Sequence, residues 1–147
     1  MLVALIALTS AARGEFLRID QSANLQECAT CGRALSAALG KMRGVESVDL
    51  DTAAQVVKVV LRPDNRVRLE AVRDAIKAVG YAPGEARVRV RGTAADGEFR
   101  VEGLDQAYRL AGEKRPPARE MVVVEGTVPA AADPRAQPLL DVSAVNP

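Results

Sequence analysis

Between residues 16 and 83 the spacing of apolar residues switches repeatedly between two periods, and this restricts the chain more than any other feature. Residues 16–19 are strand-like and lead into a polar loop over 20–27. Leu35, Ala38, Leu39 and Met42 then recur at helical spacing, with Gly44 where a C-terminal cap belongs. Residues 45–50 are strand-like, and 51–55 make a turn. Residues 56–61 are a β-branched run whose alternate members Val57, Val59 and Leu61 can face a core. Pro63-Asp64-Asn65 is a turn able to supply a helix N-cap. Leu69, Val72, Ile76 and Val79 mark one face of a second helix, Gly80 stops it, and a last strand is due after Tyr81.

Strand, helix, strand, strand, helix, strand is the split order in which two helices cover one face of an antiparallel sheet. Residues 14–84 are therefore expected to form an α+β, ferredoxin-like βαββαβ sandwich. Helical periodicity ends at Gly84. Residues 85–147 read instead as a second, all-β domain, with strands over 86–91, 99–102, 106–110, 121–128 and 139–145. Turn chemistry at Asp96-Gly97, Pro116-Pro117 and the Ala- and Pro-rich stretch 129–138 separates them. Five short strands so divided predict a small barrel, with Gly92 and Gly126 permitting its bends.

Residues 1–12 stand apart. Their apolar run over 2–8 and the small-x-small pattern Ser10-Ala11-Ala12 predict the remnant of a signal peptide, and so a periplasmic or secreted protein. The run is too short to cross a bilayer, which takes about 20 residues, and no membrane span is expected in the mature chain.

The chemistry rests on two cysteines, Cys28 and Cys31, in a chain of 147 residues with no histidine. Without histidine there is no Ser-His-Asp or Cys-His catalysis and no His-ligated metal. Two thiols this close cannot staple distant parts of the chain; they either act together or are a coincidence, and a chain that otherwise avoids cysteine favours the first. At a helix start they lie near the positive end of the macrodipole and near free backbone N–H groups, both of which favour thiolate. Two thiolates make a soft, low-coordination site, better suited to Cu(I) or Hg(II) than to tetrahedral Zn(II).

Cys28-x-x-Cys31, Ala34-Leu35 with Leu39, Gly44-Val45-x-Ser47-Val48, the run 56–61, Pro63, Leu69 with Ala75-Ile76 and Val79, and Gly80-Tyr81 follow in order. With these, residues 16–83 resemble the heavy-metal-associated domain of copper chaperones, metal-transporting ATPases and the periplasmic mercury-binding protein. The resemblance implies that Cys28 and Cys31 are metal ligands and that Tyr81 stands beside the metal loop. It implies Cu(I) first, with Zn(II), Cd(II) and Hg(II) as alternatives, and a metal-transporting ATPase or other metal-accepting protein as partner. The family usually has Gly-Met-Thr before the first cysteine, where this chain has Leu25-Gln26-Glu27. The loop is then expected to lose a packing anchor, and Glu27 to be available as a third, oxygen ligand.

The C-terminal phrases Val90-Arg91-Gly92-Thr93, Phe99-Arg100-Val101-Glu102-Gly103, Tyr108-Arg109-Leu110 and the run 122–128 resemble small OB-like β-barrels appended to bacterial envelope proteins. Nucleic-acid binding is not expected. Residues 84–147 hold nine basic and ten acidic residues with one Phe and one Tyr, which leaves no basic field and no stacking platform. Arg87, Arg89 and Arg91 are expected on a solvated strand face, and Asp49 and Asp51 beside a turn. The function expected is soft-metal binding and transfer by ligand exchange, without enzymatic turnover. Two alternatives are a thiol–disulfide oxidoreductase, which shares a C-x-x-C at a helix start, and a protein-docking module with a vestigial metal site.

Overall fold

A computed structural model of the chain describes residues 13–25, 29–131, 133 and 135–146. The expected signal-peptide remnant lies outside them. The elements run β1 (Glu15–Ala23), α1 (Ala29–Gly40), β2 (Val45–Asp51), β3 (Val56–Leu61), α2 (Leu69–Ala78), β4 (Pro83–Ala95), β5 (Glu98–Val101), β6 (Gln106–Ala111), β7 (Met121–Val128) and β8 (Leu139–Asn146), with a 3₁₀ turn over Glu102–Leu104.

The first half is ferredoxin-like. Its strands pair in the order β2-β3-β1-β4, all antiparallel. Ile19, Val57, Val59 and Leu61 turn inward to a core shared with Leu35 and Leu39 of α1 and Leu69, Val72 and Ile76 of α2. Ala38, expected on the buried face of α1, is exposed. That helix ends at Gly40, four residues before the glycine expected to cap it. Gly44 instead holds the turn into β2 at φ +96°, where a Cβ would meet Asn65 Cβ at 2.6 Å.

Two features escaped the sequence. β1 does not end at Ile19 but runs on through a stretch whose polarity reads as loop. The inward residue there is Gln21, fully buried, its amide donating to the carbonyls of Ser22, Gly84 and Glu85 and accepting from Arg73 Nε at 2.8 Å. A strand can bury a polar side chain when every donor and acceptor on it is used. Asn65 likewise does not cap α2. It is buried, with Nδ2 donating to the carbonyls of Phe16 (2.8 Å) and Arg62 (2.7 Å) and Oδ1 accepting from Val67 N.

Second, β4 is one strand where two were expected, and Gly84 lies inside it. Along one edge β4 pairs with β1 from Pro83 to Arg91; along the other it pairs with β7 from Ala86 to Thr93. Its far end pairs with β5. The ring β4-β5-β6-β8-β7 then closes on itself, with β6 and β8 parallel and every other pair antiparallel. The five-stranded barrel is therefore built onto the helix-bearing sheet through a strand common to both. Asp96 and Gly97 both have positive φ (54° and 77°), as a two-residue hairpin between β4 and β5 requires.

Packing follows the pairing. Ala86, Val88 and Val90 of β4 join Val122, Val124 and Val128 of β7 in the same continuous core that holds the helices. Phe16 meets Tyr108 of β6 edge to face, ring centroids 6.2 Å apart. Arg87 and Arg89 are exposed as expected, but Arg91 is not simply solvated: it pairs at 2.8 Å with Glu15, a carboxylate only 4 % exposed. Glu15 also accepts from Asn65 N. Where β4 bends toward β5, a Cβ on Gly92 would lie 2.2 Å from the Arg100 carbonyl oxygen and 2.7 Å from the Phe99 ring. Gly92→Ala is expected to cost about 2–3 kcal/mol by forcing two backbones apart. The urea midpoint reads this directly, and an unchanged midpoint would show that the bend has slack.

Candidate metal centre

The cysteine-bearing segment enters from β1 and leaves as α1. Cys31 lies in the first turn of α1, partly buried and packed against the core. The first-turn N–H groups of a helix have no intrahelical acceptors, and that end of the macrodipole is positive, so an anionic sulfur is favoured there. Cys31 is disulfide-bonded in this structure. Cys28 and Glu27 lie outside the described residues. Among the described residues no three Cys, Asp or Glu side chains converge as a metal-ligating group.

The stem of the segment is well defined. Leu25 is 6 % exposed and joins the core. It supplies a buried apolar anchor three residues before Cys28; Gln26, at the position of the family's methionine, lies outside the described residues. Leu25 O accepts from Gln55 Nε2 at 3.0 Å, and Ala23 N donates to Gln55 O at 3.0 Å. On the other side Ala82 N donates to Asn24 Oδ1 at 2.7 Å, and Asn24 N donates to Ala82 O at 3.4 Å. Ala82 follows Tyr81, whose ring is 8 % exposed in the same core. The turn between β2 and β3 and the chain after α2 thus hold the stem from two sides.

Asn24, Leu25 and Gln55 were not read from the sequence as parts of this region. Gln55 follows Asp-Thr-Ala-Ala in what looks like an ordinary polar turn, and no motif connects it to a residue thirty positions earlier. The turn itself is set by Asp51, whose Oδ1 accepts from Ala54 N at 2.9 Å and whose Oδ2 lies 3.5 Å from Lys58 Nζ. The backbone N–H of Ala54 is the main cause that holds the Asp51 carboxyl below its ordinary pKa. Asp51 is thereby a turn-forming residue, and Asp49 is exposed on the same strand.

On the sheet face away from the helices, a groove of about 300 Å³ is lined by Arg18, Asp20, Arg87, Arg89, Glu125 and Ser143. Its charges are mixed and it holds no sulfur.

Residues 27–82 match the family model described as the heavy-metal-associated domain. This segment is a heavy-metal-associated domain. No curated protein matches the chain. Among solved structures, the CopZ metallochaperone is 27% identical, over 48% of this chain and 97% of that one, with a TM-score of 0.39. The N-terminal domain of a potential copper-translocating P-type ATPase from Bacillus subtilis, in the Cu(I)-loaded state, is 20% identical over 47% of this chain and 85% of that one (TM-score 0.42). The N-terminal domain of PacS from Synechocystis PCC6803 is 25% identical over 48% and 94% (TM-score 0.38). The match begins in the cysteine segment, at residue 27, and ends at Ala82, the residue that straps the stem. It includes both helices, β2 and β3; β1 and the barrel strands lie outside the match.

Proposed function

We propose that this protein binds a soft metal ion between the sulfurs of Cys28 and Cys31 and passes it to a partner. The observation that carries the proposal is the heavy-metal-associated domain itself, with Cys31 in the first helical turn of that domain. Two sulfurs and no histidine suit an ion content with linear, soft coordination, so Cu(I) is the preferred cargo over Zn(II), Cd(II) and Hg(II). Transfer is ligand exchange: a thiolate of the acceptor becomes a third ligand, and the donor sulfurs release in turn. Glu27 is a candidate oxygen ligand and Tyr81 a neighbour of the loop. The acceptor we propose is a metal-transporting ATPase or another metal-accepting protein, met outside the cytoplasm. No described helix is long and apolar enough to cross a membrane. The barrel we read as OB-like, which its closed five-strand ring supports; its role in this scheme is to support the metal domain rather than to bind nucleic acid.

Because the thiolate is the metal-binding species, capture is expected only after reduction. Titration of Cu(I) into the reduced protein should show one tightly bound equivalent. Binding should vanish in the Cys28→Ser, Cys31→Ser double variant and in wild type assayed without reductant. Zn(II), Cd(II) and Hg(II) titrated in parallel rank the cargo. Equal binding by the double variant would end the proposal, and metal-free turnover in an insulin-reduction assay would favour a thiol–disulfide oxidoreductase.

A further inference from the structure

The groove on the sheet face away from the helices carries two guanidiniums that the fold leaves without carboxylate partners. Arg87 and Arg89 both line it, and both are exposed. The register offers each an acid: Asp20 of β1 stands directly opposite Arg87, and Glu125 of β7 directly opposite Arg89. Neither pair forms. Asp20 turns along its own strand and takes Arg18 Nε at 2.9 Å. Among the described residues no carboxylate oxygen lies within 4.0 Å of Arg87 or Arg89. Arg18 in turn stands directly opposite Arg89. Like charges facing each other across neighbouring strands cost free energy, which an anion placed between them would recover.

We propose that this groove docks an extended acidic segment of a partner protein, with carboxylates at alternate positions seated on Arg87 and Arg89. Spacing argues for that occupant. Side chains two residues apart on a strand point to one face about 7 Å apart. An extended segment lying along β4 therefore presents its own alternate side chains at the interval of the two guanidiniums. Each guanidinium is a planar fork that meets a carboxylate at two points. The acids in the lining set the limits. Asp20 and Glu125 repel negative charge to either side, which selects a short pair of carboxylates over a continuous polyanion such as a nucleic-acid strand. The Ser143 hydroxyl donates to the Glu125 carbonyl at 3.1 Å and so is already used. Cys31 lies in α1, on the other face of the sheet, so this surface stands apart from the cysteine segment and does not depend on the metal reading.

Fluorescence anisotropy of labelled acetyl-Thr-Glu-Thr-Glu-Thr-amide, titrated with the full chain at low ionic strength, tests this. Saturable binding that weakens with added salt is expected. The Arg87→Gln, Arg89→Gln double variant should weaken it about tenfold. Arg87→Lys with Arg89→Lys, which keeps the charge and loses the fork, should weaken it about threefold. Arg115→Gln, in the exposed loop between β6 and β7, should leave it unchanged. Both groove arginines are exposed, so the urea midpoint should hold in every variant. Acetyl-Thr-Glu-Glu-Thr-Thr-amide, whose neighbouring acids point to opposite faces when extended, should bind no better than the peptide with Gln in place of both Glu residues. Binding equal to wild type in the Gln double variant, or equal for the two acidic peptides, overturns the proposal. Succinate displacing the label at the peptide's own affinity overturns it as well, because a free small dicarboxylate would then account for the site.

Discussion

Replacing Arg73 with methionine is expected to lower the stability of the whole chain by about 3 kcal/mol, in a single unfolding transition. Arg73 projects from α2 and is only 7 % exposed, an uncommon place for a guanidinium. Its Nε donates to Gln21 Oε1 (2.8 Å), and Nη2 reaches Gly84 O (3.2 Å), Val128 O (3.2 Å) and Pro129 O (3.0 Å). One side chain therefore joins a helix to β1, to the start of β4 and to the end of β7. Burial pulls the Arg73 pKa down from its ordinary value, yet that value is so high that the group stays charged. Methionine would fill much of the space while leaving the Gln21 carbonyl oxygen and two backbone carbonyls without donors, which is the source of the estimate. Urea denaturation followed by fluorescence-independent far-UV circular dichroism tests it. A change below about 0.5 kcal/mol would mean that water replaces the guanidinium at little cost.

Phe16→Ala is expected to cost about 3–5 kcal/mol, the usual range for truncating a buried aromatic side chain. Phe16 is fully buried at the register shift in β1, and its ring contacts Tyr108 of the barrel edge to face. Removing it hollows the core where the helix-bearing sheet meets the barrel. Because β4 belongs to both, the two parts should still melt together, and probes placed in each should report one midpoint. Separate transitions would show that the shared strand does not couple them.

Much of the first half could be read from the sequence because its elements are amphipathic in isolation. Val57, Val59 and Leu61 alternate cleanly, and β3 has the expected bounds; Met121–Val128 is likewise the strand expected. Leu69, Val72 and Ile76 give α2 its buried face. The failures share a physical cause: the deciding partner is far away in the chain. Gln21 reads as loop until Arg73 and the β4 carbonyls are known to satisfy it. Arg73 reads as one more surface charge between buried Val72 and half-buried Ala75. Pro83 and Gly84 read as a break because local turn chemistry gives no hint that β1 and β7 will pair with the strand they open. At the candidate centre the helix α1 was legible, since its period is local, while Cys28 of the C-x-x-C lies outside the described residues. The stem was not, because Gln55 acts across space and Leu25 looks like any isolated apolar residue.

The barrel also has a bearing on self-association. Sheet borders are where proteins stick to one another, and a two-sided sheet offers the means for endless stacking. Here the ring of strands occupies the β4 flank, which leaves β2 as the sole unpaired border among the described residues. A molecule with a single such border can acquire one neighbour through it and then has nothing left to offer a third. Glu46, Asp49 and Asp51 along β2 would set like charges against each other even in that first encounter, so the arrangement resists fibre growth twice over.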